Sequence, residues 1–175
     1  LTAPVTDGAT VEIITSKSPE ALSIMRHSCA HIMAEAVQEL FPGAQIAFGP
    51  ATDDGFFYDF ELPKNISSDD FGAIEKKMAE IVKANEPFVR EVVTVEEAKK
   101  IFADQRFKLE HIDDLKDEEI SIYRHGSFVD LCAGPHIPSA GKIGAFKMMK
   151  LAGAYWRGDA SREQLQRLYG TAFFK

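Results

Sequence analysis

The segment GFFYDFEL, residues 55–62, places Phe56, Tyr58, Phe60 and Leu62 at alternate positions. Successive side chains of an extended strand point to opposite faces, so this spacing gathers three aromatic rings and a leucine on one side. Such a strand is half-buried and needs a second layer to cover its apolar face. Asp53-Asp54-Gly55 just before it is turn-forming. The stretch AQIAFGPATDDGFFYDFEL therefore predicts a hairpin turning there.

Elements able to supply the cover flank it. Ser18-Pro19-Glu20 reads as a helix start, with serine as N-cap, proline at the first helical position and an acid in the first turn. That helix is expected to run to about Leu40 and stop before Pro42-Gly43. A second amphipathic helix, about Asp69 to Asn85, carries Phe71, Ile74, Met78, Ile81 and Val82 as its apolar stripe. ATVEIIT and FVREVVTV are strand-like, EEAKKIFADQ reads as a short helix, and ISIYRHGSFVDLC as two strands turning at His125-Gly126. IGAFKMMKL is a further strand; a loop from YWRGD and a helix around SREQLQRLY are expected to follow. Helices and strands mix without strict βαβ alternation. The expected class is α+β, a two-layer arrangement of a mainly antiparallel sheet packed with helices.

The 175 residues, 45% hydrophobic, suit one compact domain. No apolar run approaches the roughly 20 residues that span a bilayer. Cys29 and Cys132 make no disulfide framework, which points to a reduced, cytoplasmic setting. A net charge of −7 argues against whole-surface attraction to nucleic acid. The charge is uneven, however. Lys142, Lys147, Lys150, Arg157, Arg162 and Arg167 form a basic stripe broken by Asp159 and Glu163, while the run from Glu110 to Glu119 is strongly acidic. The stripe is either a local RNA contact or an ordinary solvated surface.

The chemistry concentrates in two short motifs. HSCAHIMAEA sets His27 and His31 four residues apart, about 40° apart around a helix and hence on one face. Met25, Cys29, Ile32, Met33, Ala36 and Leu40 fall toward a core, and small Ala30 and Ala34 leave room beside the imidazoles. Two neutral imidazoles at this spacing can bind a metal or hold a water. No glutamate follows His27, so this is not the zinc-protease helix. Alone, the pair reads more readily as two idle surface histidines. The second motif, DLCAGPHIP, offers Cys132 and His136 around a Gly134-Pro135 turn. Alone it reads as a buried thiol and a chance histidine, but together the two motifs make a four-donor set with tetrahedral potential. Asp130, two residues before Cys132 on the same strand face, can orient a histidine or be a surface carboxylate. From pattern alone Lys108 defaults to the surface and Tyr58 to the core.

RHSCAHIMAEAV, GPATDDGFFYDF, VDLCAGPHIP and LAGAYWRGD with LQRLYGTAF, in that order, resemble the bacterial threonyl-tRNA synthetases. The resemblance falls on their second N-terminal domain, the editing domain, which is related to that of the alanyl-tRNA synthetases. CAGPH matches the threonyl form; the alanyl form reads C-x-G-T-H. The resemblance implies hydrolysis of mischarged seryl-tRNA(Thr). It implies that residues 1–16 end a preceding β-grasp domain, that 17–154 form the editing domain, and that 155–175 lead toward an aminoacylation domain, which is a partner along with the tRNA(Thr) acceptor end. His27, His31, Lys108, Cys132 and His136 are the implied catalytic set. His27 would handle the attacking water and Lys108 the developing charge or the terminal ribose. Tyr58, Asp130, Gly49 and Pro50 would bind the seryl group, and Lys142, Lys147, Lys150 and Arg157 the tRNA. No cofactor is required on this reading, although in the alanyl-type domains the His27, His31, Cys132 and His136 positions hold zinc. Neither DNA nor membrane is an expected partner. Two alternatives stand beside it: a freestanding zinc-dependent deacylase of the alanyl-related kind, and a non-catalytic tRNA-docking module with a structural metal.

Overall fold

The computed structural model describes residues 5–115 and 119–175. The aromatic alternation is realised in strand β2 (Phe56–Glu61), where Phe56, Tyr58 and Phe60 are buried. β2 pairs antiparallel with the short β1 (Gln45–Ile46) on one side and with β7 (Gln164–Phe173) on the other. β6 (Ala145–Tyr155) closes the sheet in the order β1-β2-β7-β6. Helices α1 (Ala21–Leu40) and α2 (Phe71–Ala84) cover its apolar face, and Met25, Ile32, Met33, Ile74 and Met78 join Phe56, Tyr58, Phe60 and Leu168 in the main core. α2 carries the expected stripe inward and ends at Asn85 in the left-handed conformation, which terminates the helix.

A second antiparallel sheet runs in the order β3 (Val89–Val93), β4 (Ile120–His125), β5 (Phe128–Leu131). Helices α3 (Val95–Ile101) and α4 (Arg106–Asp114) belong to it, and Ala98, Phe102, Ile112, Ile120 and Ile122 form its own core. The fold is α+β with wholly antiparallel pairing, the strands being divided over two sheets.

Three local expectations are corrected. The stretch around SREQLQRLY is not a helix: it enters β7, an internal strand, within the span expected as a linker. Leu168, Gly170 and Ala172 are buried at alternate positions, and two neighbouring strands satisfy the backbone that a helix would have satisfied internally. ATVEIIT forms no strand, and its Val11, Ile13 and Ile14 are exposed. α1 begins at Ala21, because Ser18 instead closes a turn, its Oγ accepting from the Thr15 N–H at 3.0 Å. Lys116, Asp117 and Glu118 of the acidic run lie outside the described residues.

Candidate active site

Four elements aim side chains at one point. Residues 27 and 31 come from α1, Tyr58 from β2, Lys108 from α4, and Asp130 from β5, which continues into the loop holding Cys132 and His136. α4 is anchored at its first turn: the Gln105 Oε1 accepts from the Ile46 N–H at 2.9 Å, and the Gln45 Oε1 from the Arg106 N–H at 2.9 Å. That anchoring turns Lys108 inward, only 4% exposed.

The Lys108 Nζ lies 2.5 Å from Asp130 Oδ1 and donates to the Tyr58 hydroxyl at 3.0 Å. Tyr58 in turn donates to Asp130 Oδ2 at 2.6 Å. His31 Nε2 stands 3.4 Å from that same oxygen. Burial, then the Asp130 carboxylate, holds the Tyr58 phenol well above its ordinary value. Burial, then the neighbouring His27, Lys108 and His125, holds the His31 imidazole well below its own. The Lys108–Asp130 ion pair is thus flanked by a phenol and an imidazole that are both neutral at neutral pH.

The second group adjoins the first. The Cys132 Sγ is 3.4 Å from His27 Nε2 and 3.4 Å from His136 Nε2, and it accepts from the Gly134 N–H at 3.2 Å. Burial pushes the thiol up to about 12. His27 and His136 are both lowered, chiefly by burial. One donor atom from each of His27, His31, Cys132 and His136 falls within 4.8 Å of all the others. Bonds of about 2.0–2.3 Å to a tetrahedral zinc would bring such atoms together by about an ångström. His31 Nδ1 is buried without a hydrogen-bond partner, so the set fits a small cation as well as it fits a water.

Two glycines make this packing possible. Gly134 sits at φ +75°, and a Cβ there would fall 2.2 Å from the Tyr123 hydroxyl oxygen. A Cβ on Gly49 would fall 2.1 Å from Tyr58 Cδ2. Each allows an aromatic ring to lie against bare backbone.

Both groups open on a cleft of about 830 Å3. His27, His31, Gly49, Pro50, Tyr58, Lys108, Asp130, Cys132 and Arg157 line it. His136 does not: it stands behind Cys132, with its ring flat against Phe88 (interplanar angle 2°, centroids 4.9 Å apart). Lys142, Lys147 and Lys150 are also absent from the lining. Lys147 pairs with Glu75 at 2.9 Å, and Lys150 lies over the Tyr169 ring. The basic stripe is threaded with acids, Arg157 on Glu110 and Asp114, Arg162 on Glu110, and Arg167 on Asp59. Its charge is thus largely compensated in place.

Sequence reasoning missed several residues in the cleft and one behind it. His111, one turn beyond Lys108, lines it and is lowered mainly by burial. Phe48 and Tyr155, 58% and 44% exposed, stand at its rim. Ser28 hid inside the first motif, where an i,i+4 pattern gave it no role.

Residues 120–169 match the family of the threonyl and alanyl tRNA synthetase second additional domain. The threonine–tRNA ligase of Rubrobacter xylanophilus is 51% identical over 170 residues, 97% of this chain and 27% of the relative. That of Oleidesulfovibrio alaskensis is 54% identical over 166 residues, 94% of this chain and 26% of the relative. This chain belongs to that second-additional-domain family. It spans about a quarter of the length of the relatives it matches. Within this second additional domain, the family match takes in β4, β5, the Cys132–His136 loop, β6 and half of β7. The helical histidines, Tyr58 and Lys108 lie N-terminal to it.

Proposed function

We propose that the cleft hydrolyses seryl-tRNA(Thr), as the editing site of a threonine–tRNA ligase in protein biosynthesis. The observation that carries this reading is the meeting of two adjoining groups on one cleft: His27 beside the Cys132 thiol, and Lys108 locked to Asp130 and Tyr58. Ester hydrolysis needs a base for water and a donor for the developing oxyanion. The neutral His27 imidazole takes a proton from water, and the hydroxide equivalent attacks the seryl carbonyl. The carbonyl-to-ribose oxygen bond breaks, and the terminal adenosine leaves as its hydroxyl, taking the proton that His27 received. Lys108 has three N–H donors; it gives one to the Tyr58 hydroxyl while its charge pairs with Asp130, and a further N–H would serve the oxyanion. Its charge is already balanced, so it acts as a fixed donor more than as a steering cation.

Serine is threonine less one methyl, and a binding site gains only about 1–3 kcal/mol from that difference. A second cleft can use size in reverse, accepting serine and crowding threonine. Tyr58, Asp130, Gly49 and Pro50 would form that measuring wall. The exposed rings of Phe48 and Tyr155 suit the unstacked bases of a tRNA 3′ end. The remainder of the ligase, including its aminoacylation domain, would be the partner that delivers the mischarged end. Nothing in this scheme calls for a membrane, and among the described residues no helix is long and apolar enough to cross one.

If zinc binds, His27, His31, Cys132 and His136 would hold it, and it would supply an acidified water at neutral pH. The four-donor set also supports the alternative of a zinc-dependent deacylase of the alanyl-related kind. The test is release of serine and threonine from seryl- and threonyl-tRNA(Thr), with and without a strong chelator, with His27→Ala as control. Serine-selective release that survives chelation and is lost in the variant is expected. Loss on chelation with recovery on adding zinc would move the four residues to metal ligands. No release of either amino acid at high enzyme concentration would overturn the reading in favour of tRNA docking.

A further inference from the structure

Ser28 is wholly buried on α1, between the site's histidine and its inward cysteine. Its hydroxyl has three neighbours: the Ile24 carbonyl at 2.9 Å, the Ile137 N–H at 3.1 Å and His136 Nδ1 at 3.0 Å. A hydroxyl carries one proton and two lone pairs. The Ile137 N–H can only donate and the Ile24 carbonyl can only accept. All valences are used if Ser28 donates to Ile24 and accepts from Ile137 and from a protonated His136 Nδ1. The opposite assignment, Ser28 donating to Nδ1, leaves one buried lone pair empty, which is disfavoured.

The ring contacts of His136 fix its plane but not its sense. Phe88 lies flat on one face, and Tyr123, His27 and His31 meet the ring at centroid distances of 4.3–4.4 Å. A half-turn of the imidazole would leave those apolar contacts nearly unchanged, while exchanging Nδ1 for a carbon at Ser28. Ser28 at Nδ1 and the Cys132 sulfur at Nε2 supply the polar partners that distinguish the two, and of these Ser28 makes the shorter contact, 3.0 Å against 3.4 Å.

We infer that Ser28 is the positioning residue of this site: its hydroxyl holds His136 as the Nδ1–H tautomer, so that the bare Nε2 faces Cys132 and accepts a hydrogen bond from its thiol. The consequence falls on His27, whose Nε2 is the other imidazole nitrogen 3.4 Å from that sulfur. With the thiol proton on the His136 side, the His27 lone pair stays open to water in the cleft. With His136 turned or in the other tautomer, its Nε2–H points at the sulfur, the thiol proton turns to His27, and the base is blocked. Ser28 touches neither the cleft nor the reacting atoms, so its effect passes through His136 and Cys132.

This inference rests on the hydrolytic reading for its kinetic consequence but not for its geometry, and two measurements separate them. In this chain with 15N-labelled histidine, two-bond proton–nitrogen correlation at pH 7.5 reports which nitrogen of His136 carries the proton. Nδ1–H is expected in the unsubstituted chain. A wild-type Nε2–H signal overturns the inference whether or not seryl-tRNA is hydrolysed. In the deacylation assay, Ser28→Ala is expected to lower kcat by about 10- to 100-fold, the range for outer partners of a site histidine. KM should not change, and Ser28→Thr, which keeps the hydroxyl, should recover activity and the Nδ1–H signal. A Ser28→Ala chain with wild-type kcat and an unchanged tautomer would also overturn it. Failure of the unsubstituted chain to hydrolyse seryl-tRNA rejects the hydrolytic reading alone, and the nitrogen spectrum then decides the inference.

Discussion

Lys108 Nζ lies 2.5 Å from Asp130 Oδ1, both side chains are at most 5% exposed, and α4 and β5 bring them together in the cleft wall. Two charges removed from water stabilise a fold only while each has the other. Removing one strands its partner. Lys108→Ala should therefore destabilise the chain by about 3–5 kcal/mol, read as a lower midpoint in urea. Lys108→Met with Asp130→Leu should recover most of that loss while leaving hydrolysis abolished. A double variant as unstable as the single one would show that packing, not charge, governs the pair.

The histidines set a pH limit. His27, His31 and His136 are all lowered from the ordinary 6.5 in the folded chain. Below that value the unfolded chain takes up protons that the native site refuses, so stability present above pH 6.5 drains as pH falls. The slope approaches 1.36 kcal/mol per pH unit for each such group, about 4 for three. Urea midpoints between pH 7.5 and 5 should fall accordingly, and His31→Asn with His136→Asn should flatten the fall. A midpoint independent of pH in that window would contradict neutral histidines. Hydrolysis, if His27 is the base, should persist below pH 6.5 for as long as the fold survives.

The close approach of Gly49 to Tyr58 gives a test of shape. A methyl added at Gly49 would sit 2.1 Å from the Tyr58 ring carbon, so the ring or the wall must move. Gly49→Ala should cost about 1–3 kcal/mol, the usual penalty of overpacking, and should disturb the Tyr58–Asp130 hydrogen bond. Hydrogen exchange at the backbone of β2 would report the disturbance; unchanged stability would mean that the wall yields freely.

Phe48 and Tyr155 predict binding effects without folding effects. Each is exposed at the rim, so alanine there should change the unfolding free energy measured in urea by less than about 0.5 kcal/mol. If a base stacks on either ring, KM for seryl-tRNA should rise by the equivalent of about 1–3 kcal/mol with kcat retained. The shift should be nearly independent of salt, in contrast to a lost phosphate contact. Unchanged KM in both variants would place the tRNA end elsewhere.

The legible parts of this molecule were those with short-range periodicity. The Phe56–Tyr58–Phe60 alternation and the Phe71–Val82 stripe announced β2 and α2 because burial on one face leaves a period in the chain. The two histidine-bearing motifs announced a shared site because metal- and water-competent side chains are rare and came in pairs. Lys108 was weak on pattern, since its burial depends on Gln45 and Gln105 anchoring a helix that only the tertiary structure forms. Ser28 gave no signal because a hydroxyl inside a helix looks like any other; its role appears only when His136, 108 residues away, is brought beside it. The strand β7 was misread because LQRLY also satisfies a helical spacing, and only a neighbouring β2 decides between the two.

The position of β7 in the sheet order sets when this chain can fold during synthesis. β2 finds its main partner in β7, with Phe56 opposite Gly170, so the aromatic face made early waits through more than a hundred residues of translation. Until Gln164–Phe173 has left the ribosome, β2 has only the two-residue β1 beside it. The backbone N–H and C=O groups of β2 on its β7 side then form an unpaired edge open to chaperones and to neighbouring nascent chains. A stop before Gln164 would leave a chain in that condition permanently, marking it for chaperones and proteases.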